Sequence, residues 1–223
     1  QAKGCLQYDV NISYTTYFNA LFAILDTLER SDIRGDLIKD LEKLEQKLVI
    51  WSKAPNIDTS ILQENLQSTV RLVCGLKSKN LDCLQLKENK FLSGLKQRFA
   101  IQGGSGSFDL PQLHFWLYRP QEALKTEMQS WLNLLLQVND SLSLILKFIR
   151  QRSGFTTIET ESSFYQDSGD GLLLLRIRVP KTDQHYPTVS GNTLRYSIRF
   201  MLPCEIEGRR YSNQATTFQL AGC

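Results

Sequence analysis

The spacing of apolar residues changes once along this chain, at Ser153-Gly154. Before that point apolar side chains recur every three or four residues, the spacing of a stripe along an α-helix. After it they alternate, with β-branched residues and turn signals between them, as half-buried strands require. Helices followed by strands argue for α+β and against a parallel α/β fold, in which the two interleave. The expected architecture is an N-terminal, mainly helical bundle domain over 1–153 and a C-terminal antiparallel β-sheet domain over 154–223. A chain of 223 residues, 42% hydrophobic and 22% charged, can build one large core or two small ones.

In the helical part, Tyr17, Phe18, Leu21, Phe22, Ile24, Leu25 and Leu28 draw the first apolar stripe. Leu37, Ile38, Leu41, Leu44 and Leu48 draw a second over 33–51. Its solvated face carries Asp36, Lys39, Asp40, Lys43 and Lys47, with opposite charges three residues apart. Ala54-Pro55-Asn56 breaks the pattern, and Asp58 or Ser60 can cap a third helix that stops at Gly75. A polar linker leads to a fourth helix over 87–99. The Gly103–Ser107 run reads as a connector. Asp109 is the expected N-cap of a helix over 110–118, with Pro111 in its first turn. From Pro120 a dense apolar helix is expected to reach Arg152, bent near Asn139-Asp140. Expected strands cover 156–161, 164–166, 172–179, 194–201 and 216–220, with turns at 167–171, 190–192 and 207–208.

Several function classes lack their residues. A net charge of +3 is too weak to imply nucleic acid by itself. The most apolar stretch, 131–149, is interrupted by Asn133, Gln137, Asn139, Asp140 and Lys147, so no membrane insertion is expected. Residues 1–10 do not resemble a signal peptide, and without an initiator methionine a start inside a longer gene product is expected. Five cysteines, Cys5, Cys74, Cys83, Cys204 and Cys223, are scattered without CxxC spacing. Reduced thiols in a cytoplasmic protein fit this pattern, with a Cys74–Cys83 disulfide left open. His114 and His185 with these cysteines do not make a zinc site, and Asp167 and Asp170 lack EF-hand spacing, so neither metal nor cofactor is expected. No lysine follows Gly103–Ser107 to make a phosphate loop, and Ser107 stands where a nucleophile elbow needs glycine. A hydrolase on Ser105, Asp109 and His114 would lack both elbow and oxyanion hole.

The basic residues of the strands carry more information. Leu194, Tyr196, Ile198 and Phe200 share one face of a strand, and Arg195, Ser197 and Arg199 share the other. Arg176 and Arg178 likewise fall opposite Leu173, Leu175, Ile177 and Val179. If the two strands are sheet neighbours, four guanidinium groups converge, and such crowding needs compensation. Glu159, Glu161, Asp167 or Asp170 could supply it internally, or an acidic partner could, since arginine grips carboxylates bidentately.

Phe108-Asp109-Leu110-Pro111-Gln112-Leu113-His114-Phe115-Trp116-Leu117 resembles the FDLPxLHxWL segment of the ZapD family of cell division proteins. Gln97-Arg98-Phe99, Phe164-Tyr165-Gln166-Asp167, Leu174-Leu175-Arg176, Tyr186–Gly191 and Ile198-Arg199-Phe200-Met201 extend the resemblance from about Tyr17 to Cys223. It implies a cytoplasmic, non-enzymatic homodimer with a helical domain and a β-domain. Such a protein binds the C-terminal tail of FtsZ at midcell and bundles FtsZ filaments. It also implies tail contacts at Arg195 and Arg199, which fall on the family's basic β-domain positions. Lys90 and His114 match further basic positions, Lys90 standing where the family usually has arginine. Arg176 and Arg178 are secondary, as contacts or as structural residues. The family's first basic helix has no counterpart before Gln1, and Ser105-Gly106 stands where the family tends to have cysteine. The alternative is nucleic-acid binding by the same basic face. Tyr196 and Phe200 point away from that face, so no nucleic acid is expected.

Overall fold

The computed structural model describes residues 1–30, 32–53, 59–78, 82–181, 183–205 and 208–223. The expected break at Ala54-Pro55-Asn56, the Asp58 cap, Glu207 of the last turn and the Cys83 side chain lie outside the described residues. The helices are α1 Ala2–Cys5, α2 Val10–Arg30, α3 Ile33–Trp51, α4 Thr59–Lys77, α5 Asp82–Glu88, α6 Lys90–Phe99, α7 Pro111–Leu117, α8 Gln121–Asn133 and α9 Leu136–Gln151. The strands follow: β1 Thr156–Thr160, β2 Phe164–Ser168, β3 Leu175–Arg178, β4 Tyr186–Gly191, β5 Arg195–Cys204, β6 Gly208–Tyr211 and β7 Thr216–Gly222. The fold is α+β, and the chain divides into two compact units, Gln1–Ile145 and Leu146–Cys223.

The helical unit is organised around aromatic side chains. Phe18 of α2 is fully buried, with its ring centre within 6.4 Å of those of Tyr17, Phe22, Phe91, Phe99, Trp116 and Trp131. These rings come from α2, α6, α7 and α8, so one cluster ties four helices together. The one polar atom on Tyr17 is satisfied, since its hydroxyl donates to the Met128 carbonyl at 2.7 Å. α3 and α4 run antiparallel: Arg34, near the start of α3, donates to the carbonyls of Leu76 and Ser78 at the end of α4. At the surface, Lys96 of α6 bridges Asp26 and Glu29 of α2 at 2.8 and 3.0 Å.

Four local expectations are corrected here. α4 continues through Gly75 to Lys77, because the glycine serves packing: a Cβ there would sit 3.0 Å from the Gln137 side chain. The polar linker contains α5, held by Leu86, which is buried in the main core. α7 is capped at Leu110 with Pro111 first in the helix, while Asp109 belongs to the preceding 3-10 turn, Ser107–Asp109. The long helix breaks at Leu134-Leu135 rather than Asn139-Asp140, with a 56° bend between α8 and α9. Leu132 and Leu135 both turn into the core there, and no glycine or proline is needed. Among the described residues no single helix is long and apolar enough to cross a membrane.

The second unit is two antiparallel sheets sharing a core. One has the order β1-β7-β3, and the other β2-β5-β4 with β6 also on β5. Tyr196, Ile198 and Phe200 of β5 meet Phe218 and Leu220 of β7, with the Phe200 and Phe218 ring centres 4.9 Å apart. Ile158, Leu175 and Ile177 pack around them. Leu194, expected on this apolar face, is instead 72% exposed, because it precedes the strand in a turn where Asn192 Oδ1 accepts its N–H. β4 and β6 were not expected. Pro187 removes a ladder donor from β4, which a strand at the edge of a sheet tolerates.

Phe18→Ala should destabilise the helical unit by about 3–5 kcal/mol, read from its urea transition. The Asp26–Lys96 pair predicts a pH effect. The hydrogen bond from Lys96 holds the Asp26 carboxyl below its ordinary range, and the bond to Asp26 raises Lys96. Asp26 therefore contributes stability above about pH 4 that is lost as pH falls through its lowered value. The raised Lys96 contributes stability at neutral pH that is lost as pH rises through its raised value, above about pH 10. Melting temperature should fall less steeply on acidification in Lys96→Met than in the parent chain.

Candidate partner-binding site

The core fixes which way β5 presents its arginines. With Tyr196, Ile198 and Phe200 buried, the alternate residues Arg195, Ser197, Arg199, Met201 and Pro203 face outward. On this outer face Ser168 stands opposite Arg195, Gln166 and Ser190 opposite Ser197, and Phe164 and Thr188 opposite Arg199. Tyr186 and Tyr211 stand opposite Met201. Met201 is only 4% exposed although it faces outward.

β2 and β6 follow one another along the same side of β5, since the other side is taken by β4. Arg199 lies at their junction. Its guanidinium carbon is 4.8 Å from the ring centre of Phe164 on β2 and 5.3 Å from that of Tyr211 on β6. The junction is built below the surface. Ser163, at φ 50°, is buried, and its hydroxyl meets those of Ser212 and Thr216 at 3.1 and 2.9 Å.

Among the described residues no internal counter-charge reaches these arginines. Asp167 pairs with Tyr196 in the β2–β5 register, on the opposite face, and accepts the Tyr165 hydroxyl at 2.8 Å. Burial, and then that bond, push the Tyr165 hydroxyl up from its ordinary value. Among the described residues, no carboxylate lies within 4.0 Å of Arg195 or Arg199, including those of Glu159, Glu161, Asp167 and Asp170.

Arg176 and Arg178 do not join them. Their strand, β3, pairs with β7 in the other sheet, so the convergence of four guanidinium groups does not occur. Both lie over Phe155, at 4.7 and 3.8 Å from its ring centre. Arg176 also donates to the carbonyls of Arg150 and Ser153 at 2.9 and 2.6 Å, closing the end of α9.

Lys90 and His114 belong to the helical unit. Lys90 opens α6 after Asn89, whose side chain accepts the Leu92 N–H at 3.1 Å. It lines an open cleft of about 360 Å³ with Phe91, Gln112, Phe115, Trp116 and Arg119. Phe115 is 75% exposed there. Glu127 fixes one wall, accepting from Trp116 Nε1 at 2.8 Å and from Arg119 at 2.6 Å. His114 is exposed on another face of α7, its ring 6.4 Å from that of Tyr118, and does not line the cleft. Among the described residues no hydrogen bond joins Ser105, Asp109 and His114, and no His, Cys, Asp and Glu cluster could hold a metal ion. Cys74 is a free thiol.

Phe164, Tyr186 and Tyr211 are the residues that alternation within one strand could not find. They reach the arginine face only through pairing between strands.

The family model of the cell division protein ZapD matches residues 1–199. The chain belongs to the ZapD family. A ZapD of Idiomarina loihiensis is 38% identical over 208 residues, covering 93% of this chain and 82% of the relative. A ZapD of Yersinia enterocolitica is 38% identical over 95% of this chain and 84% of the relative. A ZapD of Cronobacter sakazakii is 35% identical over 100% of this chain and 90% of the relative. A role in cell division follows from this membership.

The buried hydroxyls under the β2–β6 junction predict a stability effect. Ser163→Ala should cost the β-unit about 1–3 kcal/mol, because Ser212 and Thr216 lose a buried partner. Ser163→Val should cost more, since a β-branched residue is strained at that positive φ. Thermal or urea unfolding of the two variants checks the order.

Proposed function

We propose that this chain is a non-enzymatic cell division factor that binds the C-terminal tail of FtsZ through Arg195 and Arg199. As a homodimer in the cytoplasm at midcell, it cross-links FtsZ filaments, bundles them and so stabilises the Z-ring. One observation carries the reading: two outward arginines share a sheet face without a carboxylate partner among the described residues. Their planar donors suit the carboxylates of an acidic tail. Lys90 offers a second cationic point beside apolar surface, and His114 a further polar one. Arg178 is an outlying contact at most, while Arg176 is taken up by backbone carbonyls. A single tail held this way binds weakly. A dimer meeting a polymer that displays many tails gains avidity, which turns weak contacts into bundling.

A second reading has an observation in its favour. Phe164 and Tyr211 put aromatic rings on the arginine face, where stacking of nucleic-acid bases would need them. The same face carries neutral Ser197, Gln166 and Ser190 between its two arginines, and the net charge is +3. A phosphate backbone is better served by a continuous cationic track, so the peptide reading is preferred.

Arg195→Glu with Arg199→Glu should abolish co-sedimentation with FtsZ polymers while leaving the unfolding midpoint near that of the parent chain. Undiminished bundling would sink the site assignment. Bundling by the parent chain should weaken as salt rises, because exposed arginines are screened. A gel shift at physiological salt tests the nucleic-acid reading.

A further inference from the structure

We infer that Phe164 and Tyr211 position the Arg199 guanidinium and, with Tyr186 beside them, form the apolar half of the tail-binding face. The inference rests on the tail-binding reading above and names what would receive the tail's apolar side chains. The geometry is specific. A guanidinium held over ring faces uses no N–H donor in those contacts, so the aromatic rings restrain Arg199 without consuming what it binds with. The two rings come from different strands, at a junction fixed by the buried Ser163, Ser212 and Thr216 hydroxyls. Both remain open to solvent, Phe164 at 37% and Tyr211 at 65% exposure.

The face is graded along β5. Tyr186 and Tyr211, flanking the buried Met201, make an apolar end next to Arg199, and Ser197, Gln166, Ser190 and Ser168 make a polar stretch leading to Arg195. Arg195 and Arg199 are four residues apart on the strand, about 13 Å, which an extended peptide also spans in about four residues. The matching ligand carries two carboxylates at about that separation, with an aromatic or branched aliphatic side chain beyond the one that meets Arg199. Charge complementarity selects this occupant, since both arginines lack a carboxylate partner among the described residues.

The test is a fluorescence-anisotropy titration of a labelled FtsZ C-terminal tail peptide against the full chain and its variants. Phe164→Ala and Tyr211→Ala should each weaken binding about five- to tenfold with little change in unfolding midpoint, whereas Tyr211→Phe should stay within about twofold of the parent. Combining Phe164→Ala with Arg199→Ala should cost less than the product of the single effects, because the ring acts through the arginine. Replacing the peptide's apolar residues by serine should weaken binding to the parent chain but not to the Phe164→Ala, Tyr211→Ala double variant. If the parent binds, Arg195→Glu with Arg199→Glu abolishes binding, and both alanine variants bind like the parent, the aromatic role falls while the tail-binding reading stands. If the parent chain does not bind the peptide, both fall. Tyr211→Phe as weak as Tyr211→Ala would also overturn a role for the ring. So would saturable binding of a single-stranded oligonucleotide that the aromatic variants abolish.

Discussion

The packing of Ile198 and Phe200 against Phe218 sets the register of β5, and the surface of the β-unit follows from it. Side chains alternate with a period of two, so a slip of one residue would bury Arg195 and Arg199 and expose the aromatic strip. Burying those two charges unpaired would cost several kcal/mol each, far more than a slipped ladder could recover. The same register decides the neighbours. It sets Phe164 opposite Arg199 and turns Asp167 towards Tyr165 and Tyr196, away from the arginines. The arginines thus face solvent, without a carboxylate partner among the described residues, because the core demands it.

Such a face would be unstable if its charges repelled strongly, but they do not. Arg195 and Arg199 are about 13 Å apart, beyond the Debye length of about 8 Å at physiological ionic strength. Exposed charges at that distance are largely screened, so no internal carboxylate is needed to hold the sheet together. Arg176 and Arg178 are closer neighbours on β3, and there the chain does provide for them. Phe155 lies under both, and two backbone carbonyls accept from Arg176. The two pairs look alike in sequence, yet one is absorbed by its own unit and the other is left available.

That difference marks where the sequence could and could not be read. Alternation of Arg195, Ser197 and Arg199 against Tyr196, Ile198 and Phe200 is a property of one strand, and it predicts correctly which side chains are exposed. Whether β3 lies beside β5 is a property of topology, which no local pattern encodes, and the two strands lie in different sheets. β4 hid behind Pro187, a residue that normally argues against a strand, and β6 is only four residues long. With both unseen, Tyr186 and Tyr211 could not be placed beside the arginines. In the helical unit, the stripes of α2 and α3 were legible because their apolar spacing is long and regular. The break at Leu134-Leu135 was not, because it arises from core packing and carries no glycine or proline.

The β5 face and the α6–α7 cleft each present a cation beside exposed aromatic area, and they differ in what they can specify. In the α6–α7 cleft Arg119 is already bonded to Glu127, which leaves Lys90 as the cation without a carboxylate within 4.0 Å among the described residues. A lysine ammonium is a compact, strongly hydrated charge on a flexible stem, so it attracts acidic groups without dictating their orientation. The Arg199 guanidinium is planar, lies 4.8 and 5.3 Å from two ring centres, and is backed by a strand whose register the core enforces. On the proposed tail-binding reading, directional recognition of a carboxylate therefore belongs to the sheet face. On the same reading, a substitution of Arg199 should alter which acidic peptides are accepted, whereas a substitution of Lys90 should weaken all acidic peptides to a similar extent.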